Sequence, residues 1–370
     1  MRIGIDASRA TAQRRTGTEN YSLHLIRELV RLSPEHQSRL YFNQAPEPGL
    51  FDSGGQERVI PFPRLWTHVR LSWEMLLHPP DVLFVPSHVL PIVHPRRSVV
   101  TVHDLGFLYY PEAHTRAQNA YLRWTTRFNG RSAARVVADS EATRRDLIRH
   151  YRVDAGKITV IYPGRDESVA QVTDRDVLSE LRVRLGLAER YLLYVGTLHP
   201  RKNLVRLVEA FAGALAGLDT GTQLILAGQK GWLYDEALAR VEQLGLTGRV
   251  LFPGYVAAGD LPALMSGATA FLFPSLYEGF GFPVIEAMAC GVPVVCSNAS
   301  SLPEVAGDAA LLVDPLDTAA LSQAIRRIAT DEPLRQELVG RGWQQVTRFS
   351  WRRCAEQVLD VLQEVARGPA

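Results

Sequence analysis

Short apolar runs alternate with helical patterns along the first half of the chain. Arg2–Asp6 reads as a buried strand, followed by a polar loop ending at Gly17. Thr18–Leu32 then carries Tyr21, Leu25, Leu29 and Leu32 on one helical face. By the same reading Leu40–Asn43, Asp81–Val85, Ser98–His103 and Arg135–Asp139 are strands, with helices near Val69–Leu77, Ala117–Phe128 and Ala142–His150. Lys157–Tyr162 is the last strand of this half, and Pro163-Gly164 breaks it. A polar stretch from Arg165 to about Glu189 reads as a linker with a short helix. A second alternation follows, with strands at Tyr191–Val195, Gln223–Ala227, Val250–Phe252, Ala270–Phe273, Val292–Cys296 and Ala310–Val313, and a last helix around Trp351–Glu364. Such alternation predicts an α/β protein with mainly parallel sheets covered by helices on both faces. Two doubly wound domains in tandem fit it better than one large sheet. Ligands of such sheets sit beyond the carboxyl ends of the strands, so the loops after the strands, facing a cleft between the domains, are the expected site.

A length of 370 residues agrees with two domains. An apolar fraction of 46% with 22% charged residues excludes disordered, collagenous and coiled-coil chains. The net charge of +2 hides an uneven partition: residues 1–165 carry 23 Lys+Arg and 15 Asp+Glu, while residues 166–370 carry 18 and 24. An anionic surface should therefore meet the first half. Only Lys157, Lys202 and Lys230 are lysines. Cys290, Cys296 and Cys354 form no paired framework, which suits a reducing compartment. The N-terminus enters a strand without an apolar signal core, and no run approaches 18 apolar residues, so the expectation is a cytoplasmic protein.

Three loops carry the chemistry. After Tyr191–Val195 comes Gly196-Thr197-Leu198-His199-Pro200-Arg201-Lys202-Asn203-Leu204, opening into a helix. Two adjacent cations at a helix N-terminus make an anion site, though a solvated Arg-Lys pair has the same pattern. After the next strand comes Ala227-Gly228-Gln229-Lys230-Gly231, where glycines let backbone approach a ligand and Lys230 could add charge. It serves equally as an ordinary turn. The third loop, Pro274-Ser275-Leu276-Tyr277-Glu278-Gly279-Phe280-Gly281, leads through Pro283 into a helix bearing Glu286 and ending near Gly291. Two carboxylates beside free N–H groups at a helix start suit a ligand with both hydroxyls and phosphates.

Glu278 and Glu286 eight positions apart, preceded by Phe-Pro-Ser and followed by Ala-Met-Ala-Cys-Gly-Val-Pro-Val-Val, resemble the retaining nucleotide-sugar glycosyltransferases of family 4. Gly196–Leu204, Leu226-Ala227-Gly228, the Gly17 loop, Thr101-Val102-His103-Asp104-Leu105 and Ala138-Asp139-Ser140 extend the resemblance over nearly the whole chain. It implies the GT-B fold: two Rossmann-like domains facing across a cleft, with the C-terminal helix, about residues 350–370, crossing back to the first domain. Residues 1–165 would bind the acceptor and residues 166–349 the donor. By the same analogy Arg201 and Lys202 stabilise the leaving diphosphate and Glu286 accepts from the ribose hydroxyls. Glu278, with the backbone of Gly279, Phe280 and Gly281, would hold the transferred sugar. His103 would stand beside that sugar near the reacting bond, and Gly17, Gly196, Thr197, Gly228 and Lys230 would belong to the donor site around the diphosphate. One departure is Thr197, where many relatives carry arginine.

Retaining glycosidases pair two carboxylates about 5–5.5 Å apart across the bond. Here both glutamates are committed to donor hydroxyls, so the expected mechanism is front-face substitution without a glycosyl-enzyme. Arg201 and Lys202 would make the diphosphate a competent leaving group with neither metal nor cofactor. Asp174-Arg175-Asp176 spells a metal-binding DxD, but in the linker rather than after a strand, and no His/Cys cluster suggests zinc. The resemblance implies transfer of a hexose to a saccharide or lipid-linked saccharide for cell-surface polysaccharide or glycolipid. GDP-mannose is the first choice of donor, and UDP-glucose or another sugar nucleotide the alternative. A non-catalytic nucleotide-sugar-binding subunit is the competing class. Ala113–Arg135 holds five arginines, no acidic residue, and Tyr121, Trp124 and Phe128. Arg116, Arg123 and Arg127 share one face, so with Trp124 they are candidate contacts to an anionic membrane surface, peripheral on its inner face. A core-packed helix with a solvated arginine face is the plain alternative. No nucleic-acid motif accompanies the charge.

Overall fold

The computed structural model describes residues 1–12, 17–51, 54–229, 231 and 234–368. The chain divides into one unit of Met1–Gly164 with Phe349–Ala370, and a second of Arg165–Arg348. The sequence reading placed the boundaries one residue later.

The first unit is built on seven strands: β1 (Arg2–Asp6), β2 (Gln37–Phe42), β3 (Gln56–Val59), β4 (Val82–Val85), β5 (Ser98–Val102), β6 (Arg135–Ala138) and β7 (Ile158–Val160). They pair in parallel in the order β3-β2-β1-β4-β5-β6-β7. Every residue of β4 and β5 is buried, as in strands covered on both faces, and β4, Val-Leu-Phe-Val, is apolar throughout. β3 was missed because Gln-Glu-Arg-Val has no apolar pattern; as an edge strand it is exposed along its length. The helix expected near Val69–Leu77 is present: it opens with a wide π-helical turn, Thr67–Leu71, in which the Leu71 amide bonds back to Trp66 O at 2.9 Å, and continues as the α-helix Ser72–Leu77. Trp66, Leu71 and Met75 enter the core beside Leu83, Val85 and Val100.

The last helix, Trp351–Arg367, belongs to this unit. Ser350 caps it, and Cys354, Val358, Val361, Leu362 and Val365 form one buried stripe at helical spacing. It packs on the Gly17–Leu32 helix and is tied down by Arg97 Nη2 to Gly368 O at 2.6 Å and by an Arg135–Glu364 ion pair.

The second unit has β8 (Tyr191–Val195), β9 (Gln223–Ala227), β10 (Val250–Gly254), β11 (Ala270–Phe273), β12 (Val294–Ser297) and β13 (Ala310–Val313). All are parallel, in the order β10-β9-β8-β11-β12-β13. The polar linker holds a helix, Arg175–Leu185, that Asp174 caps by accepting from the Asp176 amide at 2.9 Å. Strand order reverses between β1 and β4 and again between β8 and β11. Loops leaving the carboxyl ends of such neighbours diverge and leave a crevice for a ligand.

Counted over the units, the first carries 25 Lys+Arg and 18 Asp+Glu, for +7, and the second 16 and 21, for −5. The three cysteines are buried, and burial pushes the Cys290 and Cys296 thiols up to about 12. No helix among the described residues is long and apolar enough to cross a membrane.

Candidate active site

At the β8/β11 reversal the two loops singled out in the sequence meet. His199 caps a single tight turn, Pro200–Lys202, by accepting from the Arg201 amide at 3.2 Å. Arg201 Nη1 donates to Glu278 Oε2 at 2.9 Å and also to the Tyr277 carbonyl, while Lys202 Nζ donates to Glu278 Oε1. Lys202 also lies 5.1 Å from the centroid of the Phe273 ring at the end of β11. The three side chains are mostly buried, with 24% of Arg201, 12% of Lys202 and 10% of Glu278 exposed. Burial alone would raise the Glu278 pKa, but Lys202 and Arg201 outweigh it and hold the carboxyl at about 2. The cluster therefore keeps its carboxylate ionised and one positive charge in excess. An anion is attracted there without meeting the full field of two bare cations.

Asn203, which sequence reasoning passed over, fixes this loop. Its backbone is left-handed, with φ at 63°, a conformation asparagine tolerates better than most residues. Its buried Nδ2 donates to Pro274 O at 3.1 Å and Pro315 O at 2.6 Å, joining the ends of β8, β11 and β13. The signal was the residue type itself: a polar amide after two cations and directly before an apolar helix. Ser300 and Ser301 were also missed. Ser300 Oγ accepts from the Glu278 amide at 2.8 Å, and Ser301 Oγ donates to the carbonyls of Glu278 and Phe280 at 3.0 and 2.6 Å. They shape the Glu278–Gly281 loop, which is buried throughout.

Gly281 precedes the Phe282–Ala289 helix with φ at 123°, and Pro283 occupies its first turn, as the sequence indicated. A side chain at Gly281 would meet Leu302 at 2.7 Å. Glu286 lies on this helix. Burial, reinforced by the nearby Asp166 carboxylate, raises its pKa to about 7, so it stands half protonated at neutral pH. The two glutamates are thus shifted in opposite directions, Glu278 down by its cations and Glu286 up by burial and Asp166.

Gly196 and Gly228 have a physical reason that precedes any ligand. A Cβ on Gly228 would stand 1.9 Å from Gly196 O, because the turns after β8 and β9 press backbone to backbone. The Gly196 amide donates to Ala227 O at 3.0 Å and the Leu198 amide to Gln229 O at 2.9 Å. Thr197 is exposed at the turn. Lys230 lies outside the described residues. Gly17 is the first residue of its helix and is exposed.

In the first unit His103 follows β5 and is clamped at both ring nitrogens. Nε2 is 2.8 Å from Pro86 O, and Nδ1 is 2.5 Å from Asp139 Oδ2 at the end of β6. A carbonyl only accepts, so Nε2 carries a proton, and the carboxylate draws a second onto Nδ1. Burial is the largest single influence and opposes the charge, but Asp139, with the Pro86 carbonyl and Asp104, outweighs it and the His103 pKa is raised. Burial and the neighbouring His103 push His88, after β4, down to about 4, so this second histidine is neutral. His88 Nε2 is 3.0 Å from Thr126 Oγ1, and its backbone φ is 68°. Neither Asp139 as partner nor His88 as neighbour was legible, because both come from strands distant in sequence.

Arg116, Arg123, Trp124 and Arg127 are all exposed on the Arg116–Ser132 helix. Asp174 is engaged as a helix cap, and among the described residues no group of three or more His, Cys, Asp or Glu side chains could hold a metal ion.

Residues 180–344 match the family model of the group 1 glycosyl transferases, and residues 15–169 that of glycosyltransferase family 4. O-antigen chain mannosyltransferase B of Escherichia coli is 32% identical over 365 residues, covering 93% of this chain and 95% of the relative. The chain belongs to the group 1 glycosyltransferases. O-antigen chain mannosyltransferase RfbU of Salmonella typhimurium is 31% identical to this glycosyltransferase over 65% of its length and 63% of the relative. The structure of Anabaena HepE in complex with UDP and glucose matches with a TM-score of 0.77, covering 98% of this glycosyltransferase and 100% of that chain at 23% identity. The fold of this glycosyltransferase is therefore GT-B: two Rossmann-like units with the C-terminal helix returned to the first.

Proposed function

We propose that this glycosyltransferase transfers mannose from GDP-mannose, with retention at the anomeric carbon, to a saccharide or lipid-linked saccharide of a cell-surface polysaccharide. The observation that carries the reading is the Arg201–Glu278–Lys202 cluster at the β8/β11 reversal. On donor binding, Arg201 and Lys202 turn to the diphosphate, Glu278 and the Gly279–Gly281 backbone take the sugar hydroxyls, and Glu286 ionises to accept from the ribose. The acceptor hydroxyl attacks the anomeric carbon as the bond to the diphosphate breaks. The departing diphosphate oxygen takes the hydroxyl proton, so neither glutamate acts as nucleophile. His103, its pKa raised by Asp139, is assigned to the transferred sugar. Donor-domain duties fall to residues 166–349 and acceptor duties to residues 1–165. No metal or cofactor is required, because the two cations supply the charge.

Mannose rests on the O-antigen mannosyltransferase relatives. UDP-glucose is the second reading, favoured by the ligands of HepE. A non-catalytic subunit would have no use for the intact Arg201, Lys202, Glu278 and Glu286 set. The arginine face of Arg116, Arg123 and Arg127, with Trp124, is assigned to an anionic membrane surface carrying a lipid-linked acceptor, on the cytoplasmic side.

Nucleoside diphosphate release from GDP-, UDP-, dTDP- and ADP-sugars, with and without EDTA, tests the reading. GDP-mannose should be turned over fastest and EDTA should leave the rate intact. Glu286→Ala should lower the rate by about 10²–10³ while the protein stays folded. A metal requirement, or near-normal rates in the variant, would contradict the mechanism.

A further inference from the structure

The turn after β4 holds a histidine that the proposed reaction does not use. Ser87, His88 and Val89 make a three-residue turn, closed by the Val89 amide donating to Ser87 O at 2.9 Å. His88 at its centre has φ at 68°, a strained conformation for a residue with a β-carbon. The His88 amide donates to Thr101 O at 3.0 Å. Buried Asn129 donates through Nδ2 to the His88 carbonyl and accepts at Oδ1 from the Leu90 amide at 3.2 Å. Two elements, β5 and the Arg116–Ser132 helix, thus clamp a strained turn, which fixes the direction of the side chain it carries.

The clamp also sets the tautomer. Thr126 Oγ1 gives its only proton to Leu122 O at 2.8 Å, so it accepts from His88 Nε2, 3.0 Å away. Nε2 therefore carries the ring proton. Burial and His103 keep the ring neutral against the pull of Asp104, so Nδ1 keeps a lone pair. Among the described residues nothing donates to that nitrogen. His88 is half-buried and follows β4 at the β1/β4 reversal, where diverging loops leave a crevice. His103, assigned to the transferred sugar, donates through Nε2 to Pro86 O at 2.8 Å, two residues before His88. One short segment therefore steadies His103 and presents the lone pair.

An unprotonated ring nitrogen accepts but cannot donate, and it repels phosphate and carboxylate oxygens. Its fitting partner is a neutral hydroxyl, which a saccharide presents in number. We infer that His88 Nδ1 accepts a hydrogen bond from a hydroxyl of the acceptor saccharide and so selects acceptors that carry it. The inference rests on the assignment of residues 1–165 to the acceptor and gives that assignment a specific atom. His88 aims the acceptor and takes no proton from it. With its pKa pushed down to about 4 it is a weak base, which leaves the attacking hydroxyl's proton to the departing diphosphate.

Two variants separate recognition from scaffolding, because glycine and asparagine both tolerate the left-handed backbone. His88→Gly removes the ring. His88→Asn also loses the ring that reaches Thr126, but it places an acceptor oxygen on Cγ where histidine has Nδ1. Transfer from GDP-mannose to methyl α-mannopyranoside and to its four monodeoxy derivatives is measured for wild type and both variants, with GDP-mannose affinity and melting temperature alongside. His88→Gly should lower kcat/KM for the mannoside at least about tenfold and His88→Asn less than about threefold, while GDP-mannose binds all three proteins alike. Among the derivatives that still react, one should cost wild type about tenfold but His88→Gly less than about threefold, as when the deleted hydroxyl is the one His88 holds. Equal losses in the two variants with an unchanged pattern across the derivatives would make His88 a scaffold residue and overturn the inference. An undiminished His88→Gly protein would overturn it too, while leaving the proposed reaction standing. Wild type that transfers nothing to the mannoside would contradict the proposed reaction itself, and the inference would fall with it.

Discussion

Two glutamates eight positions apart in one loop-and-helix segment show how position sets chemistry. Glu278 is buried against two cations and held near 2, whereas Glu286, buried beside Asp166, is raised to about 7. His103 shows the converse case, a buried base whose pKa is raised against burial, chiefly by one carboxylate. The groups around it are Asp139 after β6, Asp104 on its own loop, His88 after β4 and Tyr21, whose ring meets it edge-on at 4.7 Å. Cys354 on the last helix faces Asp139. Because the folded pKa of His103 is raised, its contribution to stability is complete below the unfolded value of about 6.5 and fades as pH climbs through the folded value. Asp139→Asn removes the main attraction and leaves burial opposed only by the Pro86 carbonyl and Asp104, so the His103 pKa should fall. The basic limb of the kcat–pH profile should move to lower pH with it. Histidine ¹⁵N chemical shifts followed through a titration would show this directly, and an unmoved His103 titration would mean that Asp139 does not hold the charge.

Loops and returning helices carry as much of the architecture as the strands do. Gly164 ends the first passage of the chain through the first unit, and a Cβ there would stand 2.1 Å from Trp351 N at the start of the last helix. Backbone cannot give way as a flexible side chain can. Gly164→Ala should therefore destabilise the first unit by about 1–3 kcal/mol, with the Trp351–Arg367 helix losing hydrogen-exchange protection first. An unchanged melting temperature would show that this junction is slack. Of the thirteen strands among the described residues twelve were legible, most plainly where burial on both faces leaves an uninterrupted apolar run, as in Val-Leu-Phe-Val of β4. β3 escaped because an edge strand with both faces wet has no such signature. The Thr67–Leu77 segment was legible as helical but not as two-sided. Periodicity reports which residues are apolar, while the choice of which of them face water is made by the neighbouring elements.

Over the whole molecule, the modest net charge of +2 resolves into +7 and −5 on the two units. The acidic unit carries the cluster assigned to an anionic donor, so the local geometry of Arg201 and Lys202 must outweigh the average field. The β8 and β11 loops, and the residues that meet there, were readable because each motif is continuous in sequence. Their dependence on Asn203, Ser300 and Ser301 was not, since those contacts close only when β8, β11, β12 and β13 lie side by side. The basic unit carries part of its excess charge on the exposed Arg116, Arg123 and Arg127 of one helix. The Arg201–Lys202–Glu278 cluster is assigned to bind a sugar nucleotide. Calorimetric titration of GDP-mannose and UDP-glucose into wild type and Lys202→Ala, in EDTA, tests it most directly. Saturable binding by wild type, weakened at least about tenfold in a folded Lys202→Ala protein, is the expected result. Equal affinity in both proteins, or no binding of either sugar nucleotide to wild type, would contradict it.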